Sequence, residues 1–185
     1  LGRDAGKIEA NYLATYGPGS VRVTGLRLDA DGALWAGTAG HGIARILNGR
    51  ITMLSTANGL PCDQVHWSTL DGNGSMWMYA TCGLVRVPRD DLAAWIADPR
   101  RRVAATLWDG ADGVPPVATA EGYFNPPVTK AADGKLWFLS GAELLWVDPD
   151  HIPSNPVPPP VHVASFVADH RTYAASSGLR LPPLV

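Results

Sequence analysis

The sequence is poor in the residue patterns that most chemistry requires. It has two cysteines, Cys62 and Cys82, too few for a zinc or iron–sulfur ligand set. Its five histidines, at 41, 66, 151, 162 and 170, stand singly, with no i, i+4 pair. No metal and no cofactor is therefore expected. There is no basic excess: 15 Lys and Arg against 17 Asp and Glu give a formal charge of −2. Nucleic acid and anionic membrane surfaces are thereby excluded as partners, since both want a basic patch. The one basic cluster, Arg100 to Arg102, has no interleaved aromatics and reads as a solvated loop. No apolar run approaches the roughly 20 residues that span a bilayer. A nucleophile elbow, a phosphate-cradling glycine loop and a carboxylate pair at a loop apex are all missing, so catalysis has no support. The chain starts at Leu1 without a charged-then-apolar leader, and is expected to be a piece of a longer protein.

What the sequence does have is turns and a repeat. Twenty Gly and sixteen Pro punctuate a chain that is 46% hydrophobic, which favours an all-β domain with a sizeable core. The stretch 28–46, LDADGALWAGTAGHGIARI, recurs in degraded form at 70–87, LDGNGSMWMYATCGLVRV, and at 131–147, AADGKLWFLSGAELLWV. Each copy has an Asp- or Asn-containing turn closed by Gly (Gly32, Gly74, Gly134), a Trp three residues later (Trp35, Trp77, Trp137), a loop, and an alternating strand. Trp35 and Trp77 lie 42 positions apart, and Trp77 and Trp137 lie 60 apart. The first spacing suits a four-stranded propeller blade.

The expected architecture is all-β: a partial β-propeller of about three four-stranded blades, followed by the first strands of an immunoglobulin-like β-domain. Residues 1–20 would end a preceding blade or form a connector. The blades would occupy 21–57, 58–110 and 111–150, with 151–160 a Pro-rich linker and 161–185 the start of the second domain. In the first blade the strands are expected near 21–29, 33–38, 43–47 and 50–54, with Asn48-Gly49 a two-residue hairpin signal. In the second they are expected near 64–70, 75–80, 83–87 and 103–108. A short helix over 89–98 should interrupt that blade, given its acidic start and apolar residues at 92, 95 and 96. The Pro- and Gly-rich stretch 109–127 reads as a long ordered loop.

A large flat side chain at the centre of each second strand would fill the roughly 10 Å between packed sheets, the role expected of Trp35, Trp77 and Trp137. The alternative is a sugar-stacking platform. Trp67, Trp95, Trp108 and Trp146 lack the repeated context, and one of them could be exposed. Asp29-x-Asp31-Gly32 resembles the start of a calcium loop but lacks the downstream Glu, which leaves a side-chain-capped turn as the better reading. Cys62 precedes the first strand of the second unit and Cys82 follows its second strand, so a tight hairpin would return both to one side. They could be bridged, in an oxidising compartment, or remain two buried thiols.

At these residues the sequence resembles the two-component regulator propeller repeat, an Asp-x-x-Gly-x-Leu-Trp hairpin followed by a Gly-Thr loop, a Gly-Leu-x-Arg strand and a Gly-Leu-Pro linker. The matching residues are Asp29 to Trp35, Gly37-Thr38, Gly42 to Arg45, Gly59 to Pro61, Gly74 to Trp77, Gly83 to Arg86 and Asp133 to Phe138. The stretch 155–183 resembles the entry to the triple-tyrosine (Y_Y_Y) immunoglobulin-like domain that follows such propellers. The third copy departs from the pattern, with Ser140-Gly-Ala-Glu143 in place of Gly-Thr.

The resemblance implies the periplasmic, ligand-sensing region of a bacterial two-component-type receptor, often a hybrid histidine kinase anchored in the inner membrane by other parts of the protein. Its ligands would often be carbohydrates or other small molecules. His41, His66, Tyr79 and Glu143 are the polar candidates at the loop end where a ligand should approach. A structural scaffold and a propeller lyase or hydrolase, the latter needing His41 or His66 as base, are the alternatives. Three blades cannot close a ring, so self-association through the uncovered ends is expected of the isolated chain.

Overall fold

The computed structural model describes residues 21–115, 127–140, 143–152, 164–168 and 171–174. Residues 1–20, most of the Pro-rich linker and most of 161–185, for which a connector, an extended linker and the start of a second domain are expected, lie outside the described residues. The first compact unit runs to Ile152. It contains three antiparallel sheets. The first is β1 (Val23–Leu28), β2 (Leu34–Thr38), β3 (Ile43–Leu47) and β4 (Arg50–Leu54), paired in chain order. The second is β5 (Val65–Leu70), β6 (Met76–Ala80), β7 (Gly83–Val87) and, after helix α1 (Arg89–Ala97), β8 (Thr106–Trp108). The third has three strands among the described residues: β9 (Val128–Lys130), β10 (Leu136–Ser140) and β11 (Glu143–Val147). In the second unit, β12 (Ser165–Ala168) pairs with β13 (Arg171–Ala174) as a two-stranded ribbon.

Turn chemistry fixes the strand boundaries. Gly32, Gly74 and Gly134 take φ of +81°, +84° and +87°, the left-handed conformation that closes each Asp-led hairpin. Gly42 and Gly83, which open β3 and β7, sit where a Cβ would lie 2.1 Å from the Leu54 carbonyl oxygen and 2.2 Å from that of Trp108. A side chain at either position would push the fourth strand off the third.

The Trp of each of the first two hairpins is tied to its own turn. The Trp35 indole donates to Asp29 Oδ2 at 3.1 Å, and Trp77 to Asp71 Oδ2 at 2.9 Å, in both cases from six residues downstream. Asp71, 5% exposed, also accepts from the backbone of Asn73 and Ser75, each at 2.9 Å. On the adjoining strand an arginine covers the ring: Arg45 lies 5.9 Å from the Trp35 centroid and Arg86 5.9 Å from that of Trp77. Arg27, from β1, approaches Trp35 at 5.7 Å as well.

Every residue of β6 is buried because both faces of the second sheet are covered. Trp35, Ile43 and Leu54 of the first sheet pack on Val65, Met76, Met78, Val85 and Val87 of the second. On the reverse face Trp67, Trp77, Tyr79 and Leu84 pack on Leu136 and Phe138 of the third. Helix α1 closes the first interface, its fully buried Trp95 lying 6.1 Å from Trp35. Trp35 and Trp77 thus fill the space between sheets and are not open sugar platforms.

Two expectations need correction. The last strand of the second sheet begins at Thr106, not Val103, because the backbone of 103–105 is engaged elsewhere: Val103 N–H donates to the Asn58 carbonyl and Ala104 N–H to Asp91 Oδ1. Trp137 is only half-buried. The residue six before it is Ala131, not Asp, its cross-strand partner is Trp146 rather than Arg, and among the described residues no further sheet covers that face. Trp146, 54% exposed, is the Trp that the solvent reaches most.

Asp71→Ala would leave one indole and two backbone N–H groups without their acceptor, and should cost about 3 kcal/mol in urea unfolding. Asp133→Ala, in the exposed turn of the third sheet, should cost about 0.5 kcal/mol. Equal losses would contradict the assigned role of Asp71.

Candidate functional site

The Asp-led turns lie at one end of the sheets and the short loops between second and third strands lie at the other. That loop end is knitted together across sheets. Gly40 and Gly42 N–H donate to the Asp63 carbonyl at 3.2 and 2.6 Å, and Thr81 N–H donates to the Gln64 carbonyl at 3.0 Å. Ala39 forms an isolated antiparallel bridge with Gln64. The Asp63 carboxylate accepts from the Thr56 backbone N–H at 2.7 Å and hydroxyl at 2.8 Å, anchoring the linker between the first two sheets. Cys62 and Cys82 are bridged, with Cα atoms 6.2 Å apart. The disulfide joins the entry of β5 to the exit of β6 and leaves no free thiol. Beneath it, Leu60, Pro61, Val65, Met78, Ala80 and Val85 line a narrow apolar recess.

Of the four candidate residues, three come together. Tyr79, 2% exposed at the end of β6, lies with its ring 5.9 Å from His66, 5.9 Å from Trp67 and 5.6 Å from Phe138. Its phenol donates to the Pro115 carbonyl at 2.6 Å. Burial raises the Tyr79 pKa, and the negative charge of Glu143 pushes it the same way against the Ser140 hydroxyl, which favours the phenolate. Ser140 and Glu143 are register partners across β10 and β11, and both act electrostatically on the phenol of the second sheet. His66 is buried at 5%, whereas Glu143 is exposed.

His41 stands apart. It is exposed in the β2–β3 loop, and its backbone N–H is braced by Thr38 Oγ1 at 3.1 Å. It belongs to the same end of the molecule but to the neighbouring loop.

Sequence reasoning missed Asp63, Ser140 and Asn58. Asn58 is buried in the 3-10 turn after β4 and donates to the carbonyls of Pro99 and Arg101 at 2.9 and 3.3 Å. It fastens the inter-sheet linker to the segment beyond α1. Nothing in local periodicity marks a partner some forty residues away.

No family model matches the sequence, and no curated protein matches it. Solved structures do. PorZ, a bacterial surface component of the type-IX secretion system of Porphyromonas gingivalis, aligns over 91% of this chain at 14% identity with a TM-score of 0.50. Virginiamycin B lyase from Staphylococcus aureus aligns over 69% at 18% identity, TM-score 0.44. The extracellular domain of a hybrid two-component system from B. thetaiotaomicron aligns over 69% at 19% identity, TM-score 0.38. The chain spans 24%, 38% and 22% of the lengths of those three proteins. The likeness to PorZ concerns the fold alone, and the sheets of the chain itself make it an all-β segment with partial propeller architecture.

The raised pKa of Tyr79 has a consequence for stability. Because the folded value exceeds the unfolded one of about 10, the neutral phenol's contribution is complete below about pH 10 and is lost as pH rises through the folded pKa. Melting temperatures followed upward from about pH 9, one unit below that value, should fall more steeply for the native protein than for Tyr79→Phe. Parallel curves would contradict the assignment.

Proposed function

We propose that this chain is the ligand-sensing or binding segment of an extracytoplasmic bacterial receptor of the two-component type, and that it is not itself catalytic. The observation that carries the reading is the convergence at one loop end of side chains from two successive sheets, with Tyr79 at the junction. A group bound at the exposed Glu143, above the buried His66, Tyr79 and Ser140, would report on the relative position of those sheets. At that junction the exposed Glu143 carboxylate offers an acceptor to a polyhydroxylated ligand such as a carbohydrate, the Tyr79 hydroxyl being committed to the Pro115 carbonyl. The exposed His41 would contribute from the neighbouring loop.

Two further points support the placement outside the cytoplasm. A disulfide in a bacterial chain persists where the surroundings are oxidising. Among the described residues no helix is long and apolar enough to cross a membrane, which leaves anchoring to other parts of a parent protein. The triple-tyrosine domain beyond the linker belongs to the same proposal. The ribbon of β12 and β13 is compatible with the opening strands of such a domain.

Thermal shift measured across a panel of neutral and acidic oligosaccharides tests the reading. A bound sugar at about 100 times its Kd adds roughly 2.7 kcal/mol, a rise of several degrees for a protein of this size. Glu143→Gln and His41→Ala should diminish the shift without lowering the melting temperature of the free protein. No shift with any sugar would favour a scaffold, and sugar turnover by the protein would overturn the non-catalytic reading.

The bridge predicts a second outcome. Reduction, or replacement of both Cys62 and Cys82 by Ala, should cost about 3 kcal/mol for a closed loop of this length. Thiol titration under denaturing conditions should find no reactive cysteine before reduction.

A further inference from the structure

Three Asn-Gly steps occur in the sequence, Asn48-Gly49, Asn58-Gly59 and Asn73-Gly74. An asparagine before glycine loses ammonia readily, because no side chain on the second residue shields the backbone nitrogen that attacks the asparagine side-chain carbonyl. In a folded chain two atoms decide whether it does so. The glycine nitrogen must be free of its hydrogen bond, and the asparagine amide must be free to turn. All three glycines have positive φ, +77°, +100° and +84°, but the three steps differ in both atoms.

At Asn58 both are held. Its buried amide donates to the carbonyls of Pro99 and Arg101 at 2.9 and 3.3 Å, and Gly59 N–H donates to the Thr56 carbonyl at 3.0 Å. At Asn73 one is held firmly: the amide donates to Asp150 Oδ1 at 2.7 Å, whereas Gly74 N–H reaches the Asp71 carbonyl only at 3.5 Å. Asn48 and Gly49 form the exposed two-residue tip between β3 and β4, closed by the pair Leu47 and Arg50. Neither the Asn48 side chain nor the Gly49 N–H has a hydrogen-bond partner among the described residues. The space a Cβ on Gly49 would enter is empty to 4 Å. Among the described residues Asn48 is also the one non-glycine with positive φ, +50°, a conformation that most side chains resist.

We propose that the folded chain deamidates at Asn48, with Asn73 restrained by Asp150 and Asn58 shut off by its latch onto Pro99 and Arg101. The Gly49 nitrogen gives up its proton to solvent and attacks Asn48 Cγ. The bond from Cγ to the side-chain nitrogen breaks, ammonia leaves with a proton from solvent, and a five-membered succinimide closes. Water then adds to one of the two ring carbonyls and opens the ring to aspartate or to isoaspartate, in which the main chain runs through the side-chain carbon. One water is consumed and one ammonia released, with nothing oxidised or reduced. Either product adds a negative charge to the tip. The isoaspartate also lengthens the main chain by one carbon inside a two-residue turn, which can then no longer hold Leu47 opposite Arg50, so the modification loosens the last hairpin of the first sheet.

Peptide mapping by mass spectrometry, on the folded chain and on the chain in urea at the same mildly alkaline pH, tests this. In urea the three steps should gain one mass unit at similar rates. In the folded chain Asn48 should react within about tenfold of its rate in urea, since a hairpin tip opens at little cost, and Asn58 more than about a hundredfold slower than in urea, since its exposure requires the linker between the first two sheets to come away. Asp150→Ala, at an exposed position, should speed Asn73 severalfold and leave Asn48 unchanged. Asn48→Gly suits a two-residue hairpin turn, so this variant should keep the native circular dichroism spectrum and lose most of the ammonia released by the folded chain. An Asn48 that reacts no faster than Asn58 in the folded chain, an Asn73 indifferent to Asp150→Ala, or ammonia release unchanged by Asn48→Gly would overturn the proposal.

Discussion

The structure depends on one hydrogen bond made twice. A carboxylate in the first hairpin turn accepts the indole N–H of a tryptophan six residues later, as Asp29 does for Trp35 and Asp71 for Trp77. An indole needs a partner for its N–H before it can be buried without penalty. Once the partner is supplied by the turn itself, the ring lies flat on its own sheet with an arginine across it, and the next sheet can close over both. The turn, the strand register and the spacing between sheets are thus set by the same few atoms.

The third sheet lacks that bond. Ala131 occupies the position of the aspartate and Trp146 that of the arginine, and among the described residues no further sheet covers the face carrying Trp137. The strands themselves persist, because Gly134 and Asp133 still make the turn and Leu136 and Phe138 still pack beneath Trp77. The third sheet stacks on the second without that set, through Leu136 and Phe138, so the Asp–Trp–Arg set fixes a tryptophan on its own sheet and does not decide whether sheets stack.

Much of this could be read from the sequence, because it is written locally. Asn48-Gly49, the Asp-led turns and the alternating runs placed the strands of the first two sheets within a few residues, and the apolar spacing at 92, 95 and 96 placed α1. The disulfide was left open and exists. What escaped was non-local. The latch of Asn58 onto Pro99 and Arg101 shortens β8, and no short-range pattern encodes it. The half-burial of Trp137 depends on what covers its face. At the candidate site, Tyr79, His66 and Glu143 were chosen for their polar character near a loop end. The placing of Ser140 and Glu143 near the Tyr79 phenol depends on the third sheet being set against the second, while His41 stays on its own loop.

Hydrogen exchange of the indole N–H groups, followed by NMR, tests the central claim most directly. If the turn carboxylates hold the tryptophans between sheets, the Nε1 protons of Trp35 and Trp77 exchange only through cooperative opening of the sheets, on the timescale of the slowest backbone amides. Exchange of the Trp77 proton at the rate of a free indole would contradict the account, since neither its bond to Asp71 nor the cover of the third sheet could then persist in solution.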